Sequence, residues 1–139
     1  MGALPTFFIN MVYLNTNTAN QTLRLTLDEA RQYYATAFTD YLLIISHEEN
    51  SNVGNTLAQV PTIVNENQRA TTLTVTTATL TLPGRYRYEV YGQNSNSNLD
   101  PNDASVVGIC ERGYLYLNDL GIYYDVPAIT ITDDIIYNG

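Results

Sequence analysis

Apolar and polar positions alternate with a period of two through much of this chain, in short bursts separated by Asn, Gly, Pro and Asp. That period sends successive side chains to opposite faces of a β-strand. The clearest case is residues 85–91, RYRYEVY: Tyr86, Tyr88 and Val90 share one face, and Arg85, Arg87, Glu89 and Tyr91 the other. Residues 22–27, TLRLTL, align Leu23, Leu25 and Leu27 in the same way. Residues 41–46, YLLIIS, are a continuous apolar run, which predicts a central strand buried on both sides. A weaker strand is expected over residues 59–64. Residues 105–117 keep Val107, Ile109, Leu115 and Leu117 in phase, interrupted by Glu111-Arg112-Gly113, and short strands are expected at 128–132 and 135–137.

Residues 69–82, RATTLTVTTATLTL, resemble one long strand, but the phase slips. Leu73 and Val75 stand on odd positions, whereas Ala78, Leu80 and Leu82 stand on even ones. A slip of one residue flips every side chain to the other face, so a bulge, bend or break is required near Thr76-Thr77. Two strands, or one that crosses between sheets, are expected. Leu82-Pro83-Gly84 marks a tight connection, since Pro cannot donate to a ladder and Gly tolerates positive φ. Only residues 28–36 hint at a helix, one or two turns long, with Asp28 placed to cap it. Residues 15–21, 47–55 and 93–103 are polar loops. Seven or eight short strands at this spacing predict an all-β fold, an antiparallel β-sandwich.

Composition narrows the partners. The chain has 139 residues, 18 Thr, 15 Asn and 12 Tyr, a formal net charge of −8, and six cations that are all Arg. Without a basic patch, neither nucleic acid nor an anionic membrane surface is expected as a partner. The longest apolar runs are too short to cross a bilayer. With Cys110 as the only cysteine, stability cannot rest on an internal disulfide. The N-terminus lacks the basic residues of a secretory leader, so synthesis in a cytoplasm is expected.

Residues 4–14, LPTFFINMVYL, are apolar or aromatic at all but Pro5, Thr6 and Asn10, yet a polar linker separates them from the remainder. Such a segment either folds back as an extra strand or leaves to bind another subunit by strand addition. Phe7, Phe8, Ile9, Met11, Val12, Tyr13 and Leu14 are its candidate interface residues. Both faces are apolar, so cover on both is expected. The chain thus divides into an apolar N-terminal arm with a polar linker (residues 1–21), a sandwich (22–118) and a C-terminal tail with short strands (119–139).

The residues LPGRYRYEVY at 82–91 resemble the L-P-G-x-Y-x-Y-x-V signature of immunoglobulin-like sandwiches around their tyrosine corner, with Tyr86 or Tyr88 as the corner residue. The layout TLRLTL, DYLLIIS, RATTLTV, LPGRYRYEVYGQ, NSNSNLDPND and Glu111-Arg112-Gly113 is similar to small immunoglobulin-like virion proteins of tailed bacteriophages. The resemblance covers residues 22–117. It implies an immunoglobulin-like sandwich with an N-terminal extension, working in the virion as a capsid auxiliary or decoration protein. The major capsid protein, other virion proteins and further copies of the chain would be its partners.

Chemistry-bearing residues are sparse. His47 is the only histidine and stands beside Ser46, Glu48 and Glu49, but sequence neighbours rarely converge into a triad. Cys110 has only His47 as a candidate base and reads as a small buried hydrophobe. Asn98, Asp100, Asn102 and Asp103 suit local Asx turns better than calcium, since the EF-hand pattern is absent. No enzyme activity, cofactor or metal is therefore expected. Abundant Tyr and Arg without Lys suit core and interface packing. The alternative function is a carbohydrate-binding or adhesion module, with loops 47–55 and 93–103 forming one binding end.

Overall fold

The computed structural model of the chain describes residues 11–49 and 55–119. Within them lie β1 (Met11–Asn15), β2 (Gln21–Leu25), α1 (Asp28–Tyr33), β3 (Asp40–His47), β4 (Thr56–Gln59), β5 (Thr62–Glu66), β6 (Thr71–Val75), β7 (Gly84–Gln93) and β8 (Val106–Asn118). They form a five-stranded sheet of order β1-β8-β7-β3-β4 and a three-stranded sheet of order β2-β6-β5. Phe7, Phe8, Ile9 and the tail strands expected at 128–132 and 135–137 fall outside the described residues. No helix among those residues is long and apolar enough to cross a membrane.

The all-β class expected from the alternation is what the chain adopts. One cluster of buried side chains joins Leu23, Leu25, Leu73 and Val75 of the smaller sheet to Tyr41, Leu43, Ile45, Tyr86, Tyr88, Val90, Leu115 and Leu117 of the larger one. These are the in-phase positions, so period two decides which face of each strand enters the core.

The expectation of a purely antiparallel fold is corrected at one edge. β1 runs parallel to β8, with Met11 opposite Tyr114 and Asn15 opposite Asn118. About ninety residues of chain separate the two strands, so no hairpin dictates their direction, and alternation carries no information about it. After Asn15 the chain crosses to the smaller sheet through Asn17 and Asn20, whose φ of 52° and 58° suit a side chain type that tolerates left-handed backbone. Thr77 anchors this crossing. Its hydroxyl donates to the Asn15 carbonyl (2.5 Å) and accepts from Gln21 Nε2 (2.7 Å), while its amide donates to Thr18 (2.8 Å).

Further corrections follow from local chemistry. The single strand expected at 59–64 is two strands in different sheets, because Pro61 cannot continue a ladder and the chain changes sheets there. The phase slip at Thr76-Thr77 is a break: β6 stops at Val75, and no second strand forms in the rest of residues 69–82, although Leu80 is fully buried. Gln59 clamps that break, accepting from the Thr76 amide (2.8 Å) and donating to its carbonyl (2.9 Å). β8 continues through Glu111-Arg112-Gly113 without interruption, its register shifting where Cys110 and then Val107 are extra. α1 begins after Leu27 with no side-chain cap; Asp28 instead accepts from Gln32 (2.6 Å).

Candidate interaction face

Pleating sorts the larger sheet into two faces. Tyr86, Tyr88, Val90, Leu115, Leu117 and Leu14 point inward, so their neighbours in sequence point away from the core. Register then assembles rows on the outer face. Tyr13 of β1 lies beside Tyr116 of β8, which lies beside Arg85 of β7. Met11, Tyr114 and Arg87 form the next row, and Arg112 faces Glu89 in the row after that. Tyr13 is 66% exposed, and Met11 and Tyr116 are each 40% exposed. The rings of Tyr13 and Tyr116 stand 6.1 Å apart at 46°, and the Arg85 guanidinium lies 4.7 Å from the Tyr114 ring centroid while pairing with Glu48.

This face therefore gathers three exposed or half-exposed tyrosines, a methionine and three arginines. Tyr, Met and Arg are the residue types enriched at protein interfaces, and Lys, depleted there, is missing from the chain. Of the candidate arm residues, Leu14 is buried in the core and Val12 packs against it, whereas Met11 and Tyr13 stand in the open. The expectation that both sides of this stretch are covered is thus met on one side only. Tyr114 and Tyr116 were not singled out from sequence, although the phase of GYLYLN, with Leu115 and Leu117 inward, already assigns them to the other face.

The next outer-face row is more covered. Leu42 is fully buried beside Tyr91, itself opposite Ile109, and Tyr91 donates to Glu89 (2.8 Å). Burial and that carboxylate push the Tyr91 hydroxyl up to about 12.

The two tyrosine-corner candidates diverge. Tyr86 donates to the Leu82 carbonyl (2.5 Å), tying β7 to the turn before it, where Gly84 takes a φ of 122°. Tyr88 donates instead to the buried carboxylate of Glu111 (2.6 Å). His47 packs edge-on against Tyr86, with centroids 4.8 Å apart, and Cys110 lies between the partners of Val90 and Tyr91. The imidazole and the thiol are thus separated by about 15 Å of strand at 3.3 Å per residue. Burial pushes the Cys110 thiol up to about 12, away from the thiolate a nucleophile needs.

Loops 47–55 and 93–103 do not form one end, which corrects that expectation. β3 and β7 are antiparallel, with Asp40 opposite Gln93 and His47 opposite Tyr86, so the two loops leave opposite ends of the sheet. In the second loop the polar side chains turn onto their own backbone. Asn98 accepts from the Asp100 amide (3.0 Å), Asp100 from the Asn102 amide (2.9 Å), and Asp103 from the Ser105 amide (3.0 Å).

A second polar cluster joins the two sheets. Glu66 of β5 pairs with Arg31 of α1 (3.0 Å) and accepts from the hydroxyls of Tyr41 and of Thr71 (2.9 Å). The Arg31 guanidinium lies over the rings of Phe38 (4.5 Å) and Tyr41 (5.0 Å). Burial alone would raise the Glu66 carboxyl, but the bonds from Arg31, Tyr41 and Thr71 outweigh it and hold the group below the usual glutamate range. Comparison of the chain with family models, curated proteins and solved structures finds no match.

Proposed function

We propose that this chain is a non-enzymatic structural protein of a tailed-phage virion, an auxiliary or decoration subunit of immunoglobulin-like fold that binds the major capsid protein. The observation that carries the fold is the tyrosine corner. The Tyr86 hydroxyl bonded to Leu82 across Pro83-Gly84 is what the L-P-G-x-Y-x-Y-x-V resemblance implies. The strand order supports it, with β8-β7-β3-β4 opposite β2-β6-β5 matching the G-F-C-C′ and B-E-D sheets of a variable-type sandwich, and β1 added along the β8 edge.

A fold of this kind hosts many roles, so the function rests on surfaces. The apolar N-terminal segment leads directly into an edge strand. Beside that strand lies a Tyr, Met and Arg face suited to burial against protein. Binding by these surfaces needs no nucleophile, which agrees with the separation of His47 from Cys110.

The test is addition of the purified chain to capsid shells that lack it, read by cryo-electron microscopy. Density for the sandwich at regularly repeated shell positions is expected, unchanged by His47→Ala or Cys110→Ala. Shells that stay bare at saturating protein, or a hydrolytic activity lost in either variant, would overturn the reading.

A further inference from the structure

We propose that the free edge of β1 is a strand-addition site, and that residues 122–126 of the same chain, IYYDV, fill it as a further strand of the larger sheet.

The direction in which the β1 backbone faces defines the site. The Thr16 amide donates to the Asn118 carbonyl, so residues 12, 14 and 16 aim their peptide groups at β8, and residues 11, 13 and 15 aim theirs away. β1 is the outermost strand of its sheet, so the second set faces no ladder among the described residues. At Asn15 side chains fill in: Gln21 accepts from its amide (2.7 Å) and, together with Thr77, donates to its carbonyl. The amides and carbonyls of Met11 and Tyr13 have no hydrogen-bond partner among the described residues. What stands open is a two-residue length of edge, between the half-buried, core-facing Val12 and the exposed side chains of Met11 and Tyr13. Such an edge takes another strand readily.

Position, reach and phase choose the occupant. β8 ends at Asn118, opposite Asn15, so the residues that follow begin one strand away from the open edge. The place beside Tyr13 lies two strand spacings across and two residues back, about 12 Å. Residues 119–123 can span about 17 Å. Because β1 and β8 are parallel, a chain that turns back after β8 meets β1 antiparallel, and Gly121 suits that turn. With Tyr123 opposite Tyr13 and Asp125 opposite Met11, residues Ile122, Tyr124 and Val126 flank Val12 and Leu14 on the core side, and the one carboxylate stays outside. Pro127, next in the bonding phase, has no N–H and ends the ladder where β1 begins. The residues before Met11 fit less well, because a two-residue hairpin back onto β1 would put Ile9 where positive φ is needed. With its edge filled by its own chain, β1 offers no strand addition to neighbours. The arrangement requires no virion component, which keeps its outcome separate from that of shell binding.

Hydrogen exchange of the full chain, followed residue by residue by NMR, tests it. The Met11 and Tyr13 amides should exchange slowly, and roughly tenfold or more faster in Tyr123→Pro, which lacks the N–H aimed at Tyr13. The Val12 and Leu14 amides, bonded to β8, should keep their rates in that variant. A second measurement traps the pair. In a Cys110→Ala background, Tyr13→Cys with Tyr123→Cys should oxidise to a disulfide within one chain, since opposed residues of a hydrogen-bonded pair lie about 5.5 Å apart at Cα. Tyr13→Cys with Tyr124→Cys should not. Free exchange of the Met11 and Tyr13 amides in the full chain would overturn the proposal, whatever the result with shells. So would protection that survives Tyr123→Pro, a disulfide that forms equally well from position 124, or one that forms only between two copies, which is the mark of a strand given to a neighbour.

Discussion

The Tyr86 hydroxyl donates to the Leu82 carbonyl while its ring fills the core, so one side chain fixes both the start of β7 and the turn that feeds it. Tyr86→Phe keeps the ring and strands a half-buried acceptor, at a cost of about 1–2 kcal/mol. Urea unfolding should show a lower midpoint with an unchanged slope; an unchanged midpoint would mean that water replaces the bond without loss. Glu66 gives a pH-dependent counterpart. Its folded pKa lies below its ordinary 4.5, so the folded chain favours the carboxylate. The resulting stabilisation is present above the ordinary value and is lost as pH falls through the folded one. The Tm of the native chain should therefore drop on acidification below about pH 4.5. Glu66→Gln should begin with a lower Tm at neutral pH and fall less steeply. An equal slope in both chains would assign the acid limb to other carboxylates.

At the scale of elements, packing between the β2–β3 connection and the larger sheet depends on two facing glycines. Gly92 and Gly108 are cross-strand partners between the two register shifts of β8. A Cβ on Gly92 would meet the Phe38 ring at 2.6 Å, and one on Gly108 the Tyr34 ring at 2.5 Å. Both rings lie against bare backbone, so Gly108→Ala should cost about 1–3 kcal/mol by overpacking, measurable by urea denaturation. Destabilisation below about 0.5 kcal/mol would show that the β2–β3 connection simply shifts away. These glycines were not legible in the sequence, because nothing in local alternation reports what lies across a sheet. β2, β3 and β7 were legible, since each has a run of in-phase side chains with one answer. β4 and β5 were not separated, because the sheet change at Pro61 depends on which sheet offers a free edge. The same limit applies to the candidate face: the phase of Tyr114 and Tyr116 is in the sequence, but their meeting with Tyr13 depends on a parallel pairing across most of the chain.

For the molecule as a whole, the N-terminal segment contains stretches with different duties. Leu14 is a core residue, the Thr16 amide donates to Asn118 (2.8 Å), and the Asn17 amide donates to Leu80 (2.9 Å), so residues 11–17 tie the edge of one sheet to the crossing into the other. Removing Leu14 alone is comparable to a buried Leu→Ala change, about 2–5 kcal/mol. Losing the β1 ladder and the two amide bonds adds to that, against a total of about 5–15 kcal/mol for a domain of this size. Deletion of residues 1–20 should therefore lower the Tm sharply or abolish cooperative unfolding. Deletion of residues 1–10 removes none of these contacts and should leave a cooperative transition within a few degrees of the full chain, about 1 kcal/mol or less. That makes the shorter truncation the informative one for function. If it folds and no longer decorates shells, residues 1–10 supply the anchor. If it folds and still binds, the anchor lies on the Tyr and Arg face, and Tyr13→Ser in the full chain should then abolish shell binding.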